Sequence, residues 1–166
     1  MPMPAEVSSP SDREVRVTRS FEAPRQLVWD AHTSPELVPR WQGYEGWDMP
    51  VCEMDVRVGG TYRWQWTNRD DGSQFGFFGT FIEVDAPSKL THEQYFDPGS
   101  FGSAMPVGDP CIVSLELSER DGVTTLVCTL TFASKDARDD AVSTGMTDGM
   151  EHSYARLDGL VATNAA

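Results

Sequence analysis

The sequence contains few basic residues. Lys and Arg number 13 whereas Asp and Glu number 26, so the 166-residue chain has a formal net charge of -13 at pH 7. A surface of that sign repels phosphate groups and anionic lipid headgroups. We therefore expect neither nucleic acid nor a membrane surface as a partner.

Cysteine is scarce, and the N-terminus has no apolar core. Cys52, Cys111 and Cys128 are widely spaced in apolar segments, which favours buried free thiols over disulfides or metal ligands and fits a reducing cytoplasm. The first 13 residues contain three prolines and lack the apolar stretch of a signal peptide or a spanning helix. We expect residues 1–13 to be a disordered tail before a single domain over residues 14–164.

Common catalytic signatures are absent as well. The chain has no HExxH, GxSxG or paired CxxC motif, no P-loop, and no GxGxxG after a strand. Four carboxylates near residue 50 fit a solvated face better than a cation site, namely Glu45, Asp48, Glu53 and Asp55. These observations predict no metal and no cofactor, and they favour a binding protein while leaving an enzyme open.

What the chain does contain is regular alternation of apolar and polar residues, which predicts seven strands. They cover residues 14–21, 49–57, 61–68, 74–84, 89–96, 111–117 and 126–132. Pro24 and the Ser34-Pro35-Glu36 sequence begin two short helices, and Pro39 cuts the second.

Residues 134–164 predict one long amphipathic helix with Ser134 as its N-cap. Gly145 and Gly149 lie inside it and indicate close backbone approach, a bend, or simple tolerance. Its apolar face carries Val142, Met146, Met150, Tyr154 and Leu157. We expect an α+β helix-grip fold, in which a seven-stranded antiparallel curved sheet and this helix enclose a cavity.

Aromatic residues make the predicted cavity a candidate binding site. Tyr62, Trp64 and Trp66 alternate along one strand and share a face, although ordinary core packing also explains them. His92 is the catalytic candidate because imidazole titrates near neutrality, with a structural role as the alternative. The full predicted ligand-binding set is Trp41, Tyr62, Trp64, Trp66, Phe77, His92, Gln94, Met146, Met150 and Tyr154.

The remaining histidines and one loop complete the predictions. His32 and His152 are expected on the surface. The segment 97–110 is rich in Gly and Pro yet carries Phe101 and Met105, which predict a lid over the cavity. The alternatives are that this loop packs against its own sheet or forms a dimer contact. We expect the chain to be a monomer or a homodimer.

Four segments carry a family resemblance. FEAPRQLVWDAHTSPELVPRW, DVRVGGTYRW, FGTFIEVDAPSKL and GMEHSYARLDGL, in this order, resemble the START-like (SRPBCC) superfamily over about residues 14–162. More narrowly, the chain is similar to the heat-shock-chaperone ATPase activator homology family. It is also more weakly similar to members of enediyne and polyketide pathways. A Gly-Trp pair is common in the last helix of the family, whereas this chain has Gly149 and Met150.

The resemblance implies a helix-grip fold whose cavity holds hydrophobic small molecules, aromatic polyketides, lipids or hormones in various members. We expect binding of a hydrophobic, aromatic or polyketide-like molecule, for sequestration or self-resistance in a specialised-metabolite pathway. An enzyme of the polyketide cyclase or aromatase kind is the first alternative, with His92 or a carboxylate moving protons. A co-chaperone role, implied by the family name alone, is the second.

Overall fold

The computed structural model describes residues 4–43, 45–99 and 109–164. Within them the predicted α+β helix-grip architecture is confirmed. The strands are β1 (Glu6–Ser8), β2 (Glu14–Phe21), β3 (Trp47–Met54), β4 (Thr61–Asn68), β5 (Gln74–Asp85), β6 (Lys89–Asp97), β7 (Cys111–Arg120) and β8 (Val123–Thr131). The helices are α1 (Arg25–Thr33), α2 (Val38–Trp41), α3 (Lys135–Ser143) and α4 (Met146–Asn164).

The strands form one antiparallel sheet in the order β1-β2-β8-β7-β6-β5-β4-β3. Short turns join β4 to β5, β5 to β6 and β7 to β8, as antiparallel pairing allows, whereas β2 and β8 pair from distant parts of the chain. Between β7 and β8 the turn is Asp121-Gly122, where both residues have positive φ, 53° and 79°. This is the backbone that two-residue hairpin loops require, and it explains the Asp-Gly sequence at this point.

The sheet has one strand more than the sequence predicts. Glu6, Val7 and Ser8 pair with Thr18, Val17 and Arg16 of β2. The prediction of disorder for residues 1–13 is therefore wrong for residues 6–8. The physical reason is that the outer edge of β2 offers unpaired backbone groups, which a short extended segment satisfies even without an apolar pattern.

Proline and hairpin residues also shift two predicted boundaries. Pro39 does not cut α2 but lies in its first turn, where a missing N–H costs no helical hydrogen bond. Strand β3 ends at Met54 rather than at Arg57, since the backbone turns there, with Gly60 N–H donating to the Arg57 carbonyl over 2.8 Å.

The predicted C-terminal helix is two helices. Ser134 caps α3 as predicted, and its Oγ accepts a hydrogen bond from Ala137 N–H at 3.0 Å. The helix ends at Ser143, and Gly145 has a φ of +82°. Glycine in the left-handed region is the usual way for a helix to stop. Val142 consequently lies on the exposed α3, so its predicted place on the buried face is wrong.

Helix α4 keeps the apolar face and packs on the core. Tyr154, Leu157 and Val161 are buried, while Met146 and Met150 are half-buried. None of the described helices is long and apolar enough to cross a membrane.

Candidate functional site

A cavity of about 200 Å³ lies between the sheet and the helices α1, α2 and α4. Each strand from β3 to β8 contributes to its wall, because alternate residues of a strand point to the same face. Nine of the ten predicted ligand-binding residues line it, namely Trp41, Trp64, Trp66, Phe77, His92, Gln94, Met146, Met150 and Tyr154. The arrangement places the predicted residues together around one space.

Tyr62 is the predicted residue that does not reach the wall. It is 3% exposed, and its hydroxyl donates to the Glu93 carbonyl oxygen over 2.9 Å. The same hydroxyl oxygen lies 2.9 Å from His92 Nδ1. Tyr62 therefore stands behind the cavity wall as a partner of His92.

Gly79 allows Tyr62 to reach across the sheet. Tyr62 on β4 pairs with Gly79 on β5, and Glu93 belongs to the next strand, β6. A Cβ at Gly79 would lie 3.2 Å from Tyr62 Cε1 and would overlap the Glu93 carbonyl oxygen. The glycine leaves the space that the phenol ring crosses.

His92 is neutral at pH 7. Burial is the main cause that lowers its pKa to about 4, and the nearby His32 contributes to the same lowering. An imidazole with so low a pKa is a weak general base at neutral pH, so its position favours hydrogen bonding over proton transfer.

His32 lies on the cavity wall, and the prediction that it is on the surface is wrong. Its Nδ1 is 2.8 Å from the Val28 carbonyl oxygen, its ring centroid is 4.7 Å from that of Trp41, and burial lowers its pKa to about 4. The sequence signal was available, since His32 follows the buried Val28 by four residues and thus shares its helix face. His152 is exposed, as predicted.

The aromatic wall is held by specific contacts. Trp41 stacks on Tyr154 with centroids 6.1 Å apart and donates its indole N–H to the Ala31 carbonyl at 2.7 Å. Trp66 stacks on Phe75 at 5.4 Å. Within the described chain, the buried Trp64 Nε1 has no acceptor, so Trp64 contributes its ring and not its N–H to the cavity wall.

One end of the cavity is polar and rests on a contact between a loop and α4. Gly43 N–H donates to Ser153 Oγ at 3.3 Å, and the Ser153 hydroxyl donates back to the Gly43 carbonyl at 3.2 Å. Gly43 has a φ of +145°, and a Cβ there would lie 2.9 Å from Trp66 Nε1. Gln42, Gly43 and Ser153 are wall residues that the sequence did not predict, because their place depends on this loop packing.

A second, polar pocket of about 280 Å³ shares Gln42, Gly43 and Trp66 with the cavity. Arg69 in its wall donates a hydrogen bond from Nε to Asp48 over 2.9 Å.

Carboxylates of the predicted acidic group near residue 50 form ion pairs with arginines, and Asp55 pairs with Arg57 at 2.8 Å. Among the described residues, no group of three or more His, Cys, Asp or Glu side chains could hold a metal ion.

The predicted lid residues Phe101 and Met105 lie outside the described residues.

The sequence matches a known family over most of its length. Residues 22–162 match the family described as Activator of Hsp90 ATPase homolog 1-like protein, and the chain belongs to that family. This confirms the resemblance to the START-like superfamily. No curated protein sequence matches the chain.

Solved structures share the fold. A Rhodobacter sphaeroides protein is 28% identical with a TM-score of 0.84, and the match covers 96% of this chain and 98% of that one. A Mycobacterium smegmatis protein is 21% identical with a TM-score of 0.82, covering 97% and 99%. CalU16 from Micromonospora echinospora is 20% identical with a TM-score of 0.54, covering 98% and 96%. At these identities the last two show likeness of fold alone.

Proposed function

We propose that this protein binds a neutral, hydrophobic small molecule with an aromatic or polyketide-like body in the cavity between the sheet and α4. One observation carries the proposal, which is that the described residues give the cavity an aromatic wall and no ionised side chain. Low pKa values keep His32 and His92 uncharged at pH 7, and burial raises the pKa values of Cys128 and Tyr154. A charged ligand would lose its hydration there without gaining a counterion.

The energy of binding comes from apolar surface and ring contacts. Burial contributes about 25 cal/mol per Å², so covering about 200 Å² of ligand surface contributes about 5 kcal/mol before the cost of association. Contact with the rings of Trp64 and Trp66 adds about 1 kcal/mol for each well-placed aromatic pair. Met146 and Met150 are flexible enough to adapt the α4 side of the cavity to the ligand.

The proposed biological role needs only that the protein binds its ligand and does not convert it. Sequestration of a toxic or reactive metabolite, including self-resistance in a specialised-metabolite pathway, requires only a fitting cavity. The three free cysteines suit a reducing compartment such as the cytoplasm. The cyclase or aromatase alternative has less support, because His92 is a weak base at neutral pH.

A cavity-filling variant tests the proposal. Met150→Trp places an indole in the cavity and should abolish binding of 1-naphthol, measured by isothermal titration calorimetry. Ala155→Trp adds the same side chain on the exposed side of α4 and should leave the affinity within about twofold. Binding that survives Met150→Trp, or no heat of binding for any neutral aromatic compound with the wild-type protein, would contradict the proposal.

A further inference from the structure

Two histidines line the cavity, and each has one ring nitrogen hydrogen-bonded to the protein. His92 Nδ1 meets the Tyr62 hydroxyl at 2.9 Å, and His32 Nδ1 meets the Val28 carbonyl at 2.8 Å. Since a neutral imidazole carries one proton, the partner of Nδ1 decides whether Nε2 is a donor or an acceptor.

For His32 the assignment is direct. A carbonyl oxygen only accepts hydrogen bonds, so Nδ1 must carry the proton that it donates to Val28. The Nε2 atom of His32 is therefore unprotonated and has a free lone pair. None of the described residues forms a hydrogen bond with it.

For His92 the assignment follows from counting the protons of Tyr62. The Tyr62 hydroxyl has a single proton, and the Glu93 carbonyl at 2.9 Å must receive it. The phenol oxygen is then left as the acceptor for His92, so Nδ1 of His92 also carries the proton. Within the described chain, His92 Nε2 has no hydrogen-bond partner.

We propose that both cavity histidines present Nε2 as a hydrogen-bond acceptor, so that the ligand is a hydroxylated aromatic compound whose O–H groups donate to them. The inference rests on the proposed function and specifies its ligand class. Gln42, Gln94 and Ser153 also line the cavity, but each can donate or accept, so they do not decide between ligands. Tyr62 acts as a positioning residue because it fixes the tautomer of His92 without touching the ligand.

The tautomers can be measured without any ligand. Two-bond proton–nitrogen NMR correlations on the ¹⁵N-labelled protein at pH 7 should show Nε2 unprotonated and Nδ1 protonated in both rings. Tyr62→Phe removes the acceptor of His92 Nδ1, so His92 should become a mixture of tautomers while His32 does not change. Tyr95→Phe, a half-buried tyrosine that stacks on Phe78, is the matched control and should alter neither ring. A protonated Nε2 in wild-type His92 or His32 would overturn the proposal.

Binding of matched probes tests the ligand class. 1-Naphthol should bind at least tenfold more tightly than 1-methoxynaphthalene, which has the same ring but no donor. 1-Naphthaldehyde, which has an acceptor but no donor, should also bind at least tenfold more weakly than 1-naphthol. In His92→Phe the preference for 1-naphthol over 1-methoxynaphthalene should shrink.

The two proposals fail in different ways. Equal affinity for 1-naphthol and 1-methoxynaphthalene would overturn the donor requirement while leaving the cavity as a binding site. Absence of binding for every probe, together with the expected tautomers, would instead contradict the proposed function.

Discussion

Arg19 on β2 links the sheet to α4 through ion pairs. It is 4% exposed and forms paired hydrogen bonds with Glu151 and with Asp158, at distances between 2.7 and 3.0 Å. Its guanidinium also lies 5.0 Å from the ring centroid of Phe21. A buried guanidinium needs such complete pairing, because an uncompensated charge in the interior is costly.

Loss of this side chain should destabilise the whole domain. Arg19→Leu leaves two carboxylates close together without their cation, and we expect a loss of about 3 kcal/mol in the free energy of unfolding. Urea denaturation measures it. Arg57→Leu removes an arginine from an exposed ion pair with Asp55 and should change the free energy by less than about 0.5 kcal/mol. Equal effects of the two substitutions would show that Arg19 has no special role.

At the scale of elements, the separation of α3 from α4 places α4 on the sheet. Helix α3 has no buried residue, whereas α4 carries the apolar face that closes the cavity. Gly145 produces the break because its backbone adopts a φ of +82°. A Cβ at Gly145 would have open space within 4 Å. The requirement for glycine therefore comes from the backbone conformation alone.

Two glycine substitutions separate this backbone effect from helix propensity. Gly145→Ala should lower the free energy of unfolding by about 1 kcal/mol, since alanine is strained in the left-handed region. Gly159→Ala lies inside α4, where an added Cβ also meets nothing within 4 Å, and it should raise stability by about 0.5–1 kcal/mol. Thermal unfolding compares the two variants. A stabilising Gly145→Ala would mean that the chain joins α3 and α4 into one helix without cost.

On the scale of the whole molecule, an acidic protein encloses a cavity whose described wall residues carry no charge at neutral pH. The chain carries a formal charge of -13, yet His32 and His92 are held neutral in the wall of the cavity. Their pKa values of about 4 lie below the ordinary value of 6.5 that they regain on unfolding. Between these values the unfolded chain binds more protons than the native state, so stability rises with pH.

Stability should therefore be complete above about pH 6.5 and should fall as the pH drops toward 4. Each histidine contributes a slope of about 1 kcal/mol per pH unit between pH 5 and 6. Urea midpoints measured across this range should show the slope, and His92→Phe should make it shallower. Tyr95→Phe, a half-buried aromatic residue on the same strand as His92, is the control and should keep the wild-type slope. An identical slope in His92→Phe would mean that His92 does not resist protonation in the folded state.

Local periodicity was sufficient to predict most of the sheet and the aromatic wall. Strands β2 and β4 have the predicted ends, and Trp64 and Trp66 share the inward face because side chains alternate in a strand. The Ser134 cap was also predictable, because an N-cap hydrogen bond joins residues that are only three positions apart in the chain.

Contacts between residues far apart in the sequence decided the features that local patterns did not predict. Residues 6–8 become a strand only beside the edge of β2, and Tyr62 reaches Glu93 only because Gly79 lies between them. Arg19 occupies an inward position of β2 since Glu151 and Asp158 come from the far end of the chain to neutralise it. The protonation of the two cavity histidines likewise depends on their partners, which are the Val28 carbonyl for His32 and the Tyr62 hydroxyl for His92. Sequence periodicity does not predict such pairings.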